Sequence, residues 1–359
     1  MNYDSYVRIN QRCISITSPA YFIADIASNH DGDIERAKNL IWLAKEAGAD
    51  AVKFQHFQAD KIVSDYGFKN LGNKMSHQAA WKKSVYEVYK QYECKHEWTQ
   101  ELVQTALEAN IDFFTTPYDY ESMERLDYYI PAYKIGSGDI TWIDFVSQIA
   151  QRGKPVILST GASSIEDVER AVGAVVRYNR QIALLQCNTN YTGNRDNFKY
   201  VNLNVLKTYA IHFPGMLLGL SDHTPGMVSV LGAVALGARL IEKHFTDDNH
   251  REGPDHAFAM NPLTWREMVE RCRELEYALG DGIKRIEKNE EESIIVQRRC
   301  MRLKRNIEAG DTIKGTDLES LRPAPNGSIP PYAIKDVIGK TLKNAKNAGD
   351  ALYHTDLEE

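Results

Sequence analysis

Two histidines each stand at the end of an apolar run, His223 in GLSDHT and His244 in EKHFT. Neutral imidazole nitrogens are common ligands of divalent transition metals. Two that converge, with waters completing the shell, form an open site for Mn²⁺, Fe²⁺, Co²⁺ or Zn²⁺, with Mg²⁺ less favoured. Lys53 and Lys134 lie inside apolar runs, AVKFQ and AYKIGSG. An ammonium there is costly to desolvate unless it faces an anion. That anion is either a small molecule bearing phosphate and carboxylate, or one of the protein's own acids, Asp25, Asp139 or Glu242. Hydroxyls at Thr116, Ser137, Ser159 and Ser221 also stand at run ends, and they favour the small anion because they add donors suited to it.

These groups need a scaffold that brings them to one place. Eight strand-length runs recur up to about residue 245: YFIADIAS, AVKFQ, IDFFTTP, AYKIGSG, PVILSTG, IALLQCN, MLLGLSD and RLIEKHF. Between them lie segments of helical pattern. DIERAKNLIWLAKEAGA has apolar positions three and four apart, and SIEDVERAVGAVVRYN opens with serine and early acids. Strand and helix alternating eight times predict a (β/α)8 TIM barrel, an α/β fold. An open doubly wound sheet is less suitable, because no GxGxxG follows the first run. In such a barrel the reactive groups belong at the carboxyl ends of the strands. Those ends supply Asp25, Asn29, His30, Lys53, Gln55, Thr115, Thr116, Lys134, Ser137, Asp139, Ser159, Thr160, Asn188, Thr189, Ser221, Asp222, His223, Glu242, Lys243 and His244. His223 and His244 end the seventh and eighth runs, which are neighbours in a closed barrel.

The rest of the chain sets bounds. A formal charge of -6 with 43 basic and 49 acidic residues, mixed along 359, argues against nucleic acid or an anionic membrane as the main partner. Five scattered cysteines without CxxC spacing give neither a disulfide framework nor a cysteine zinc site, and suit a reducing cytoplasm. MNYDSYVRINQR has no apolar core of a secretory signal. The barrel is expected over 1–282 and a charged linker over 283–298. A small β-rich domain is expected over 299–359, where EAGDTI and NAGDAL form a weak repeat with turns at Gly-Asp.

Taken in order, SNHDGD, VKFQ, FFTTP, YKIGSGD, ILSTG, GLSDHT, EKHFT and GPDHAFAMNP resemble the N-acetylneuraminate (sialic acid) synthase family, which includes legionaminic and pseudaminic acid synthases. The carboxyl-terminal segment with LRPAPNG resembles that family's antifreeze-like (SAF) domain. The resemblance implies condensation of phosphoenolpyruvate with the open-chain aldehyde of an N-acylated hexosamine, giving a nine-carbon 2-keto sugar acid and phosphate. It implies that Lys53, Thr116, Lys134, Ser137, Ser159, Thr189 and Ser221 hold phosphoenolpyruvate and that His223 and His244 bind a divalent ion, Mn²⁺ or else Mg²⁺ or Co²⁺. Gln55, Asp139, Tyr191 and Asp255 would contact the sugar, joined by Arg322 from the partner subunit of a domain-swapped homodimer. Asp25 or Asp139 would take a proton from water.

The chain departs from the family pattern at Asp25, where Glu is usual, and at Thr189, where bacterial members often have Asn. The segment from Lys61 to Lys83 matches no sugar-contacting pattern, and GPDH favours a neuraminic- or legionaminic-type substrate over the pseudaminic branch. The alternatives are another phosphoenolpyruvate-dependent 3-deoxy-ulosonate synthase, which would not need the small domain, and a non-catalytic sugar-binding module.

Overall fold

The computed structural model describes residues 2–72, 78, 79 and 81–358. Residues 73–77 and 80, within the Lys61–Lys83 segment, and the terminal residues 1 and 359 lie outside the described residues. The chain divides into two compact units, Met1–Gly280 and Asp281–Glu359.

The first unit opens with a hairpin that sequence reasoning did not anticipate, β1 (Tyr6–Ile9) paired antiparallel with β2 (Arg12–Ser15). Asn10 turns it with a left-handed φ of 50°, a conformation asparagine tolerates. The eight expected runs then form β3 (Tyr21–Asp25), β4 (Ala51–His56), β5 (Asp112–Pro117), β6 (Tyr133–Ile135), β7 (Val156–Ser159), β8 (Ile182–Cys187), β9 (Leu217–Asp222) and β10 (Leu240–His244). They close into one parallel barrel in which β10 returns to β3. These strands are buried almost throughout, on both faces, which is why their sequences read as continuous apolar runs rather than as alternations. Gly219 in β9 is needed for closure, because a Cβ there would collide with the Leu240 carbonyl of β10.

The helices begin where the side chains allow. Asp33 caps Ile34–Glu46 by accepting from the N–H groups of Glu35 and Arg36, and Ser164 forms a capping box with Asp167 at Ile165–Val176. Strand register sets the site. Asp25 lies opposite Lys53 of β4 on one side and His244 of β10 on the other, while Glu242 lies opposite Ser221.

The second unit holds the short helix Glu291–Gln297 and an antiparallel pair, β11 (Cys300–Leu303) with β12 (Leu318–Leu321). Its own core contains Met301, Leu303, Ile307, Ile313, Ile329, Val337, Leu342 and Leu352. The EAGDTI and NAGDAL turns place Gly310 and Gly349 at φ of 84° and 89°, where a side chain is disfavoured. All five cysteines are free. Among the described residues no helix is long and apolar enough to cross a membrane.

Candidate active site

The carboxyl ends of the barrel strands enclose a narrow inner chamber, about 40 Å³, lined by Asp25, Lys53, Thr116, Lys134, Ser137, Ser159, Ser221, His223, Glu242 and His244 together with Gln55, Tyr118, Cys187 and Tyr191. Lys53 Nζ lies 2.7 Å from Asp25 Oδ2 and 3.9 Å from Glu242 Oε1, and Lys134 Nζ lies 3.4 Å from the same Glu242 oxygen. The lysines thus pair with Asp25 and Glu242, the protein's own acids. Burial pushes the Lys53 pKa down, but Asp25 and Glu242 outweigh it and the net shift is upward, so the ammonium stays charged. Ser221 Oγ also donates to Glu242 Oε1. Pairing does not exhaust the chamber: the hydroxyls of Thr116 and Ser159 and the second oxygen of Glu242 are buried without a hydrogen-bond partner. Buried polar atoms are normally satisfied, so these point to a polar ligand.

Asp25 is held from several directions. Gln55 Nε2 donates to its Oδ2 at 2.9 Å, and Ala27, with a left-handed φ of 45°, donates its N–H to Oδ1 at 3.1 Å. Asp139 stands apart. Burial raises its carboxyl to about 6, against the opposing pull of Lys134.

His223 and His244 converge with ring centroids 5.3 Å apart. Both suit a divalent metal. His223 Nδ1 lies 2.9 Å from the Asn188 carbonyl, a contact that fixes the proton on Nδ1 and leaves Nε2 as the donor atom. His244 Nδ1 is buried without a partner, and burial, with help from His223 and Lys53, lowers the His244 pKa to about 3, so the ring stays neutral. Asp255 Oδ2 lies 3.8 Å from that nitrogen. No group of three His, Cys, Asp or Glu side chains is placed to hold a metal among the described residues. Two imidazoles would therefore leave the remaining positions to water or substrate.

The inner chamber opens into an outer one of about 380 Å³, and Gln55, Tyr118, Ser137, Tyr191 and His244 border both. Its volume is within the usual range for small-molecule pockets. Asp139 and Asp255 line it, and Asp255 is fixed by the Ser28 N–H at 3.1 Å. Tyr191 packs on His223, centroids 4.3 Å apart.

Several strand-end groups expected at the mouth face the other way. Thr115 bonds to His56, which in turn contacts Thr99 of the helix Thr99–Glu108; Thr160 is bonded by Tyr209 of Val205–His212. Asp222 and Lys243 form a buried ion pair that also engages Ser229 of Val228–Ala235. These four positions alternate with residues that face inward, as a strand period of two requires.

Of the expected site residues, thirteen are thus gathered around the two chambers. Thr189 lines neither, and its methyl group is turned toward Gly161. Arg322 belongs to the second unit, where it is exposed just after β12. Sequence reasoning named Glu242 as a possible partner of the two lysines, which it is, but gave it no place in the substrate site. It missed Tyr118, one residue past β5, and the aromatic lining from Phe57, Trp81 and Tyr89. Tyr118 could have been found from its position after FFTTP; the others depend on loop packing.

The chain resembles known proteins over most of its length. A model of the NeuB family matches residues 40–284, and one of the SAF domain matches 298–358. The chain is 35% identical over 335 residues to the N,N'-diacetyllegionaminic acid synthase of Campylobacter jejuni subsp. jejuni serotype O:2, covering 90% of this chain and 96% of that protein. It is 31% identical over 325 residues to the N-acetylneuraminate-9-phosphate synthase of Homo sapiens, covering 90% and 89%. The crystal structure of N-acetylneuraminic acid (sialic acid) synthetase from Leptospira borgpetersenii serovar Hardjo-bovis, in complex with citrate, matches with a TM-score of 0.71 at 28% identity, covering 82% of this chain and 96% of that one. With the first model matching more than half of the chain, from residue 40 to 284, and the second matching 298–358, the chain belongs to the NeuB family and carries an SAF domain.

Proposed function

We propose that the chain condenses phosphoenolpyruvate with the open-chain aldehyde of an N-acylated hexosamine, such as N-acetylmannosamine or a diamino-trideoxyhexose, to give a nine-carbon 2-keto sugar acid and phosphate. One observation carries this reading: a lysine-bearing chamber with unpartnered hydroxyls and two histidines shares one of them, His244, with a larger chamber.

Phosphoenolpyruvate takes the inner chamber. Lys53 and Lys134, which also face Asp25 and Glu242, would donate to its oxygens together with Thr116, Ser137, Ser159 and Ser221, with Thr189 assigned there on family resemblance. The sugar takes the outer chamber against Gln55, Tyr191 and Asp255. A divalent ion, Mn²⁺ or else Mg²⁺ or Co²⁺, held by His223 and His244, would supply Lewis-acid polarisation of the aldehyde. The methylene carbon of phosphoenolpyruvate then bonds to the aldehyde carbon, whose oxygen gains a proton. Water adds at the former enol carbon, and phosphate leaves with its bridging oxygen. Asp139 is the better of the two carboxylates for accepting the water's proton, because its pKa is raised to about 6 while Asp25 is held by Lys53 and Gln55. The enzyme would act in the cytoplasm as a domain-swapped homodimer, the partner subunit's Arg322 completing each sugar site.

Phosphate release tests the reading. Purified protein with Mn²⁺ should release phosphate only when phosphoenolpyruvate and an N-acylhexosamine are both present. Release with arabinose 5-phosphate or erythrose 4-phosphate instead would assign it to another ulosonate synthase.

A further inference from the structure

The buried ion pair of Asp222 and Lys243 lines neither chamber, yet each member is the residue immediately before one of the two histidines. Lys243 Nζ lies 2.5 Å from Asp222 Oδ2, with side chains only 1% and 2% exposed, and it also donates to the Thr224 carbonyl at 2.6 Å. The ammonium carried by β10 therefore grips the chain on both sides of His223. Asp222 closes the same turn from within. Its Oδ1 accepts the Thr224 N–H at 3.1 Å and the Thr224 hydroxyl at 2.8 Å, while Ser229 of Val228–Ala235 donates to its Oδ2.

Backbone pairing does not do this work. The β9–β10 ladder ends at the rung between Asp222 and Lys243, so His223 lies beyond it and is not paired to His244. The side-chain bridge begins where the ladder stops. His223 has a further hold, because its Nδ1 donates to the Asn188 carbonyl at 2.9 Å. His244 Nδ1 has no hydrogen-bond partner, so that ring is placed by its backbone and by packing on Phe258, with centroids 5.0 Å apart. Stability alone gives little reason for charges here, since replacing both members of a buried ion pair by uncharged side chains of similar volume is often neutral or stabilising. What the pair adds is directional contacts at fixed points, and residues behind metal ligands act in that way.

Resting on the reading that the two imidazoles hold a divalent ion, we propose that Lys243 and Asp222 are positioning residues for it: their bridge sets the separation of His223 and His244 past the end of the β9–β10 ladder.

The test removes both charges together, Lys243→Met with Asp222→Asn, so that no uncompensated charge is left in the core. Metal-free protein is titrated by calorimetry with Mn²⁺ and, separately, with phosphoenolpyruvate, and its thermal unfolding is followed by circular dichroism. Partners that orient metal ligands contribute about 10–100-fold to affinity, so the Mn²⁺ dissociation constant should rise by that factor. The phosphoenolpyruvate dissociation constant and the unfolding midpoint should stay close to wild type, because Ser221 and Glu242 keep their rung within the ladder. Unchanged Mn²⁺ affinity overturns the proposal. So does loss of both ligands alike with a lowered midpoint, which would make the pair a part of the scaffold only. Lys243→Gln with Asp222→Asn, a change that keeps polar groups at both positions, decides by the same split if the Met variant does not fold. Wild-type protein that takes up no Mn²⁺ overturns the metal reading itself, and this proposal with it.

Discussion

Lys53 Nζ and Asp25 Oδ2 lie 2.7 Å apart, and each side chain is only 2% exposed. They stand on adjacent strands in register, so the barrel brings the charges together before any substrate arrives. Breaking such a pair from one side leaves an uncompensated buried charge, which costs about 3–5 kcal/mol. Lys53→Met should therefore destabilise the barrel by about that much and weaken phosphoenolpyruvate binding. Adding Asp25→Asn should recover much of the stability and none of the binding. Denaturant unfolding with titration of phosphoenolpyruvate separates the two effects, and recovery of both would remove Lys53 from the anion site.

His244 is expected to bind metal through a nitrogen that is buried and unpartnered in the protein itself. In His244→Ala, Mn²⁺ affinity measured by calorimetry should fall by at least about tenfold, while circular dichroism stays unchanged because the barrel core is mostly aliphatic. An unchanged Mn²⁺ dissociation constant would contradict the assignment.

Asp139, raised by burial to about 6, predicts a pH effect whose sign follows from its role. A base must be ionised, so kcat should fall as pH drops through about 6 and level off above it. Asp139→Asn should lower kcat and abolish that acid limb. A limb that persists in the variant would move the base to another group.

Reading the strands as alternating would have sorted their ends more sharply. Thr116 enters the chamber and Thr115 turns to His56; His223 enters and Asp222 turns to Ser229 and Lys243. Both members of each pair are buried, so composition alone does not separate them, whereas period two does. The barrel itself was legible because all eight strands are buried on both faces and bounded by helical segments. The β1–β2 hairpin was not, being two four-residue strands around a polar turn. The aromatic wall was hidden for another reason: Phe57, Trp81 and Tyr89 come together through loop packing that no local pattern encodes.

The proposed sharing of sites between subunits predicts complementation. Arg322→Ala and His223→Ala proteins, each inactive, are unfolded together and refolded. Half the randomly formed dimers are mixed and carry one intact site of two, so activity should return to about a quarter of wild type. No recovery would place Arg322 in its own subunit's function or outside the site.

In the proposed reaction phosphoenolpyruvate is consumed by carbon–carbon bond formation and carbon–oxygen cleavage. Phosphoenolpyruvate labelled with ¹⁸O at its bridging oxygen, turned over with an N-acylhexosamine acceptor, should yield labelled phosphate and an unlabelled nine-carbon 2-keto acid in equal amounts by mass spectrometry. Label retained in the organic product, or phosphate released without that acid, would contradict it.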